Sequence, residues 1–361
     1  MNCRFTTRRE FLKRSVLGTA GIATAWGVAS LGGSARADTY TSRVVMTKGN
    51  DRADNAFRAM QVLKKQIAAA IGNKRIIVKP NVVSNDVALA DTHVDWLEGI
   101  LEFLKSIGKT EVTIAESNPR NTMVAFDYMG YFRLLNKYPA RLVELNQEGA
   151  DVVEVWKDES TLWPIRVSRL LRNPNNFIIS CPRIKTHNVV VATLSLKNVA
   201  MAAPMVDPGY PFGQPGSGKF NKTPGMHGSP ECYQCLNDNI YRMAKIHDIR
   251  PDLVVIDGYQ GMQGNGPSGG YAAPEQKLGI VSFDCVAADR VCVQLMGHDV
   301  YQLGSTGPYP ACLNYCGQAG LGEWDLSKIE IIGEPIAGNV VNYVPNSGID
   351  SMLGMRTTPK E

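Results

Sequence analysis

Lys185-Thr186-His187-Asn188 and, shortly after it, Leu196-Lys197-Asn198 form the densest collection of reactive side chains in the sequence. Two ammonium groups, a hydroxyl, an imidazole and amides over so short a stretch could hold a phosphate, a carboxylate or another oxyanion. His187 could also move a proton, since an unperturbed imidazole titrates near neutral pH. The alternative is a polar loop whose lysines are only solvated. Other polar groups share one placement. Lys79 and Asn81 follow the apolar run Arg75 to Val78, Glu116 and Ser117 follow Glu111 to Ala115, and Asp257 follows Leu253 to Ile256, as Lys185 follows Asn176 to Cys181. If these runs are parallel strands, all the groups reach one edge of one sheet, where open α/β sheets bind ligands. The expected catalytic set is Lys185, His187 and Asp257, and the ligand-binding set is Lys79, Asn81, Glu116, Ser117, Thr186, Lys197 and Asn198. Lys185 and Lys197 would take the anionic group, Asn81 and Asn198 would orient it, and Glu116 and Asp257 would supply carboxylates.

Metal ligation has thinner support. His93, His187, His227, His247 and His298 include no His-x-x-x-His pair, and His187 with Glu116 or Asp257 is the first combination to consider. Asp257-Gly258 leads into Gly261, Gly264, Asn265, Gly266, Pro267, Gly269 and Gly270, either a loop that brings amide N–H groups onto an anion or a long turn. Pro267 stands where a dinucleotide-binding helix would begin, so the Rossmann fingerprint is not met, and no Gly-Lys-Ser or Gly-Lys-Thr completes a P-loop. The dense cysteine run of ferredoxin-type clusters is also missing. Ser117 lacks the esterase setting. Cys181, ahead of Pro182, is a nucleophile or simply a buried strand residue. The cofactor is left unknown, with a metal ion possible.

The elements that must position these groups alternate short apolar runs with amphipathic segments, the pattern of an α/β fold. Arg43 to Met46 reads as a strand. Ala53 to Ile71 carries Phe57, Met60, Leu63, Ile67 and Ile71 at helical spacing, and Asp91 or Thr92 would cap a helix with the stripe Leu97, Ile100, Leu101, Leu104 and Ile107, closed by Gly108. Further helices are expected over Asn121 to Lys137, Leu236 to His247 and Val286 to Met296. Strands are expected at Val152 to Val155, Leu278 to Ser282 and Ile329 to Ile332. The predicted architecture is a mainly parallel, mixed sheet with helices on both faces. Six prolines and six glycines between Pro204 and Pro230 interrupt it with a long loop, an insertion placed at 204–235 that could act as a lid.

The amino terminus reads as routing rather than fold. Thr7-Arg8-Arg9-Glu10-Phe11-Leu12-Lys13 precedes an uncharged stretch from Ser15 to Ala35 and the small-x-small site Ala35-Arg36-Ala37. This is the pattern of a twin-arginine export signal over residues 1–37, with an uncleaved anchor as the alternative. The expected partner is the twin-arginine translocase, the destination periplasmic or secreted, and residues 38–361 would form a single α/β domain with no stable membrane span. Residues 1–37 hold six of the 38 basic side chains and one of the 34 acidic ones, leaving 32 against 33. A near-neutral mature chain gives no ground for nucleic-acid binding. Seven cysteines remain, and Cys232 with Cys235 or Cys312 with Cys316 are the local disulfide candidates.

Taken together, the Lys79-Pro80-Asn81 turn, the Glu116-Ser117 strand end, Pro182-x-Ile184-Lys185-Thr186-His187 with Leu196-Lys197-Asn198, the Asp257-Gly258 loop with Gly-Asn-Gly-Pro, and Ala288-Asp289 before a helix ending Leu295-Met296-Gly297 resemble the domain-of-unknown-function 362 family. The similarity runs from about Val44 to Gly297. It implies an α/β domain, often found with iron-sulfur modules or behind export signals, and no reaction common to the family. Without a cluster-binding run, this chain differs from the ferredoxin-fused members. The function expected is that of an exported enzyme, cofactor- or metal-dependent and of redox type, acting on a small anion; the alternative is a non-catalytic anion- or metal-binding or maturation factor.

Overall fold

The computed structural model describes residues 41–206, 226–227, 233–298, 311–348 and 358–360. The expected export signal, Cys232 and most of the Pro/Gly insertion lie outside the described residues. From edge to edge the main sheet runs β13 (Ile329–Gly333), β1 (Ser42–Lys48), β12 (Leu278–Ser282), β10 (Leu253–Gln263), β7 (Asn176–Cys181), β2 (Arg75–Pro80), β3 (Val112–Glu116) and β4 (Ala140–Glu144). From β10 to β4 every pairing is parallel, whereas β12 runs antiparallel to both β1 and β10. Every residue of β7 is buried, as expected for a central strand covered on both faces. Past the end of β7 the chain forms β8 (Arg183–His187), parallel to β10 across a register shift, and β9 (Val191–Thr193), antiparallel to β8. β11 (Tyr271–Ala272) pairs with β10, and β5 (Ala150–Trp156) with β6 (Leu162–Ser168) forms a separate hairpin sheet.

Helices cover both faces. One layer holds α1 (Arg52–Val62), α2 (Lys64–Ile71) and α3 (Val94–Ser106), whose Trp96, Leu97, Ile100, Phe103 and Leu104 pack with Val78, Val255 and Val281 of the sheet. Beyond it in the chain comes α4 (Thr122–Tyr128). The opposite layer holds α5 (Ser195–Ala202), α6 (Tyr233–Lys245), α7 (Cys285–Leu295) and α8 (Ala311–Gln318), packed on Ile77, Ile178, Val254 and Ile256. Consecutive strand residues therefore serve opposite cores, as the pleat requires. Among the described residues no helix is long and apolar enough to cross a membrane.

Several local expectations change. The helix predicted over Ala53 to Ile71 is two helices, because Leu63 leaves the helical region at φ −103 and ψ 18. The segment from Asn121 to Lys137 breaks at Gly130 (φ 72) into α4 and a 3-10 turn. His93, not Asp91 or Thr92, caps α3, its Nδ1 accepting from Asp95 N–H at 3.1 Å. Cys312 and Cys316 are free and buried. One turn apart on α8, their Cβ atoms are roughly 5–6 Å apart, beyond the 3.8 Å or so that a disulfide needs. Cys235 is disulfide-bonded, and none of the five free cysteines is its partner.

The glycine-rich stretch after Asp257 also differs from a ligand-cradling loop. Gly258 and Gly261 lie inside β10. A Cβ on Gly261 would stand 2.6 Å from the Ile184 carbonyl oxygen, and one on Gly266 would stand 2.1 Å from that of Thr186. These glycines let the end of β10 press against β8. Gly261→Ala or Gly266→Ala should therefore lower unfolding stability by about 1–3 kcal/mol through backbone displacement, read from urea transitions; an unchanged midpoint in both variants would contradict this packing role.

Candidate functional site

Lys79, the fifth residue of β2, is wholly buried. Its Nζ donates to Glu116 Oε2 at 2.6 Å, to Asn198 Oδ1 at 3.0 Å and to the Pro80 carbonyl. Glu116, at the end of β3, also accepts from Val82 N–H (2.7 Å) and Ser117 N–H (2.8 Å). Asn198, on α5, closes the network, its Nδ2 donating to the Lys79 carbonyl (3.0 Å) and Ser180 Oγ (3.1 Å) while its Oδ1 also accepts from Asn81 Nδ2 at 3.2 Å. Ser117 donates from Oγ to the Ala202 carbonyl at 2.6 Å, anchoring the far end of α5. The structure thus gathers Lys79, Asn81, Glu116, Ser117 and Asn198 at the carboxyl edge of β2 and β3. Asp289 of α7 completes the support of α5: its carboxylate accepts from Ser195 N–H and Leu196 N–H, both at 2.9 Å, and from Ser195 Oγ at 2.5 Å. Lys197 and Asn198 are fixed by that cap.

Lys185 is wholly buried on β8 and donates to the Ala90 carbonyl at 2.5 Å. The next residue, Asp91, accepts from Val83 N–H (2.7 Å) and Ser84 N–H (3.2 Å) through Oδ1, while its buried Oδ2 has no hydrogen-bond partner among the described residues. Burial pushes the Lys185 ammonium below its ordinary range and the Asp91 carboxyl above its own, and their mutual attraction opposes both shifts. Lys197, partly buried, has no hydrogen-bond acceptor among the described residues. Burial lowers it to about 8, the nearby Cys312 thiol opposing the shift and the Lys79 charge adding to it.

His187 is buried, and its Nδ1 accepts from Val189 N–H at 3.0 Å and more distantly from Val190 N–H at 3.4 Å. The ring proton therefore resides on Nε2. Burial, followed by the charges of Lys197, His227 and Lys185, holds the ring well below its ordinary titration range. The ring is thereby held in its neutral form, with Nδ1 already engaged by backbone N–H groups. In the hairpin that carries it, Val191 adopts φ 63, a left-handed conformation that a β-branched residue rarely takes and that commonly marks functional regions.

Asp257 stands apart from the lysines. Its oxygens lie 3.5 Å from Arg52 Nε and 3.8 Å from Arg183 Nε, and Oδ1 accepts from Tyr259 N–H at 3.1 Å. Thr186 is occupied too, donating from Oγ1 to the Gly264 carbonyl at 2.8 Å. Arg183 Nη1 donates to the carbonyls of Ala88 (3.3 Å) and Leu89 (3.1 Å), so the turn Ala88–Ala90 is held by two cations of β8. Asp91, Arg183 and Asp289 are site residues the sequence reading did not assign. Asp289 lies within the Ala288-Asp289 pair of the family resemblance, while Asp91 stands where the sequence predicts a helix cap.

The profile of a family described as Domain of unknown function (DUF362) matches residues 76–294, a span that includes Lys79, Glu116, Lys185, Lys197 and Asp289. The chain belongs to the DUF362 family. No curated protein matches this DUF362 chain. Among solved structures, a structural-genomics crystal structure of a Thermotoga maritima protein aligns at 13% identity over 72% of this chain, with a TM-score of 0.40. The alignment spans 62% of that protein's own chain, less than two thirds of its length.

Among the described residues of this DUF362 protein, no three His, Cys, Asp or Glu side chains converge as a metal site. Glu116 is committed to Lys79, and Asp257 faces two arginines. The metal grouping of His187 with Glu116 or Asp257 is thus not assembled. The Cys181 thiol is pushed far up by burial, which opposes the thiolate form that a ligand or nucleophile requires.

Lys79→Met should destabilise the protein by about 3–5 kcal/mol by leaving the Glu116 charge buried and unpaired, and Lys79→Met with Glu116→Gln should recover much of the loss in urea unfolding. The titrations give a second expectation. Lys197 is lowered from 10.5 to about 8, so the unfolded chain binds more protons between those values and stability should rise with pH there. Asp289 is raised from 3.8 to about 7, so stability should fall as pH rises through that range. Melting temperatures of wild type, Lys197→Met and Asp289→Asn across pH 4 to 10 would check both signs, each variant losing its own slope.

Proposed function

We propose that this protein is an exported enzyme that binds a small oxyanion with Lys185 and Lys197 at the carboxyl edge of the sheet. Asp91 and Lys185 would share and move a proton beside the bound anion. One observation carries the reading: buried or partly buried cations stand here with incomplete neutralisation, since among the described residues Lys197 has no hydrogen-bond acceptor and Lys185 meets only the Ala90 carbonyl at hydrogen-bond distance. Depressed ammonium groups cost stability when charged, and an anion between them would reverse that cost. Asp91 Oδ2, buried and without a hydrogen-bond partner among the described residues, supplies the acceptor that His187 does not. A twin-arginine route carries folded proteins, often around a cofactor, and this favours redox chemistry in which the lysines hold an anionic group of substrate or cofactor. A non-catalytic anion carrier is the competing reading, favoured by the closed hydrogen bonding of Lys79, Glu116 and Asn198.

Isothermal titration with inorganic phosphate, sulfate and acetate near pH 8, in buffers of different ionisation heat, tests the site. Binding should take up protons, because the anion raises the Lys197 titration. Lys197→Met should remove the uptake and weaken binding at least tenfold, a loss of about 1.4 kcal/mol. Absence of binding by all three anions, or binding without proton uptake, would overturn the proposal. Metal analysis and an absorption spectrum of the folded precursor separate the two readings: a stoichiometric redox cofactor supports the enzyme, and anion-induced stabilisation without one supports the carrier. For the export step, Arg8→Lys with Arg9→Lys should leave folded precursor in the cytoplasm; unchanged export would remove the localisation from the proposal.

A further inference from the structure

A second region lies beside Asp257, behind Arg52: a cavity of about 500 Å³ whose lining includes Asp51, Arg52, His93, Asp95, Glu98 and Tyr259. The Arg52 guanidinium lies 4.6 Å over the Tyr259 ring, and its Nε is 3.5 Å from Asp257 Oδ1. Ring and carboxylate hold the guanidinium from two sides, only 11% of the side chain is exposed, and Arg52 makes no side-chain hydrogen bond among the described residues. Its planar fork of donors is positioned and unused. His93 adds another donor, because Nδ1 accepts from Asp95 N–H and leaves the ring proton on Nε2. The cavity is framed by a close crossing of α1 and α3: a Cβ on Gly99 would stand 2.1 Å from the Ala53 carbonyl oxygen.

The carboxylates on the lining define the ligand class. Arg133 pairs with Asp95 and also lies 3.8 Å from Glu98, while Lys137 pairs with Glu98 at 2.5 Å. Asp51 has no cationic partner among the described residues, its Oδ1 accepting from Asp54 N–H at 2.9 Å. A doubly charged phosphate would meet this negative charge at full strength, whereas a single planar carboxylate matches the guanidinium fork with half the repulsion. We infer that this cavity binds a small monocarboxylate, its two oxygens accepting from Arg52 and His93 Nε2–H standing as a further donor. The inference is independent of the lysine-site proposal.

The test uses the full chain carrying Lys185→Met and Lys197→Met, so that anion binding at the sheet edge is already removed. Isothermal titration with benzoate, acetate and inorganic phosphate should show one carboxylate site per chain and phosphate at least tenfold weaker. Arg52→Lys keeps the charge beside Asp257 but loses the fork, and should weaken carboxylate binding at least tenfold with circular dichroism unchanged. Should Arg52→Lys fail to fold, Tyr259→Leu removes the ring under the guanidinium and should also weaken binding. Equal carboxylate affinity in whichever variant folds, stronger binding of phosphate, or no carboxylate binding would overturn the inference. Loss of both variants to misfolding would overturn it as well, since it would make the cluster a requirement of the fold.

Discussion

A charged ammonium inside the protein, that of Lys79, is the constraint around which the carboxyl edge is arranged. Removing such a group from water costs several kcal/mol, so it persists only where its partners are supplied from fixed positions. Glu116 arrives from the neighbouring strand, Asn198 from the first turns of α5, and the Pro80 carbonyl from the chain itself. Each is held by something else: Glu116 by two backbone N–H groups, and α5 by the Asp289 carboxylate at one end and Ser117 at the other. Satisfying one lysine therefore fixes the relation of β2, β3, α5 and α7. Lys197, on α5, is positioned by the same framework without a hydrogen-bond acceptor among the described residues, and Lys185, on β8, meets only the Ala90 carbonyl there; this contrast separates a structural cation from candidate binding ones.

The sequence made the parallel block legible because strands buried on both faces leave continuous apolar runs, as in Asn176–Cys181, and because the polar residues after those runs differ sharply from what precedes them. Lys79, Asn81, Glu116 and Ser117 could be placed on one edge by that reasoning alone. It could not assign Asp91 to Lys185. An Asp-Thr-His run before an amphipathic helix satisfies the pattern of an N-cap, and only tertiary contact shows that His93 takes the cap while Asp91 turns inward.

Glycine carried the same ambiguity. The stretch after Asp257 fits both amide exposure to an anion and close approach of two backbones, and spacing does not separate them. The distances at Gly261 and Gly266 do, in favour of close approach to β8. The sequence places Asp257 just past the apolar run Leu253 to Ile256, beside the lysines, whereas β10 continues through it to Gln263. Its neighbours across the sheet, Arg52 from α1 and Arg183 from β8, draw it elsewhere. Long-range pairings of this kind leave no periodic signal in the chain.

The turn at Ala88–Ala90 offers three successive carbonyls, two to Arg183 and one to Lys185. Those two side chains stand on one short strand, and one faces Asp257 while the other lies in the field of Asp91. The turn is consequently a latch with two pins. It cannot swing outward by releasing one pin, since the adjoining carbonyl remains fastened to the other, and it cannot release both without exposing two desolvated cations at once. Displacing this turn would therefore break contacts to an arginine and a lysine of one strand together.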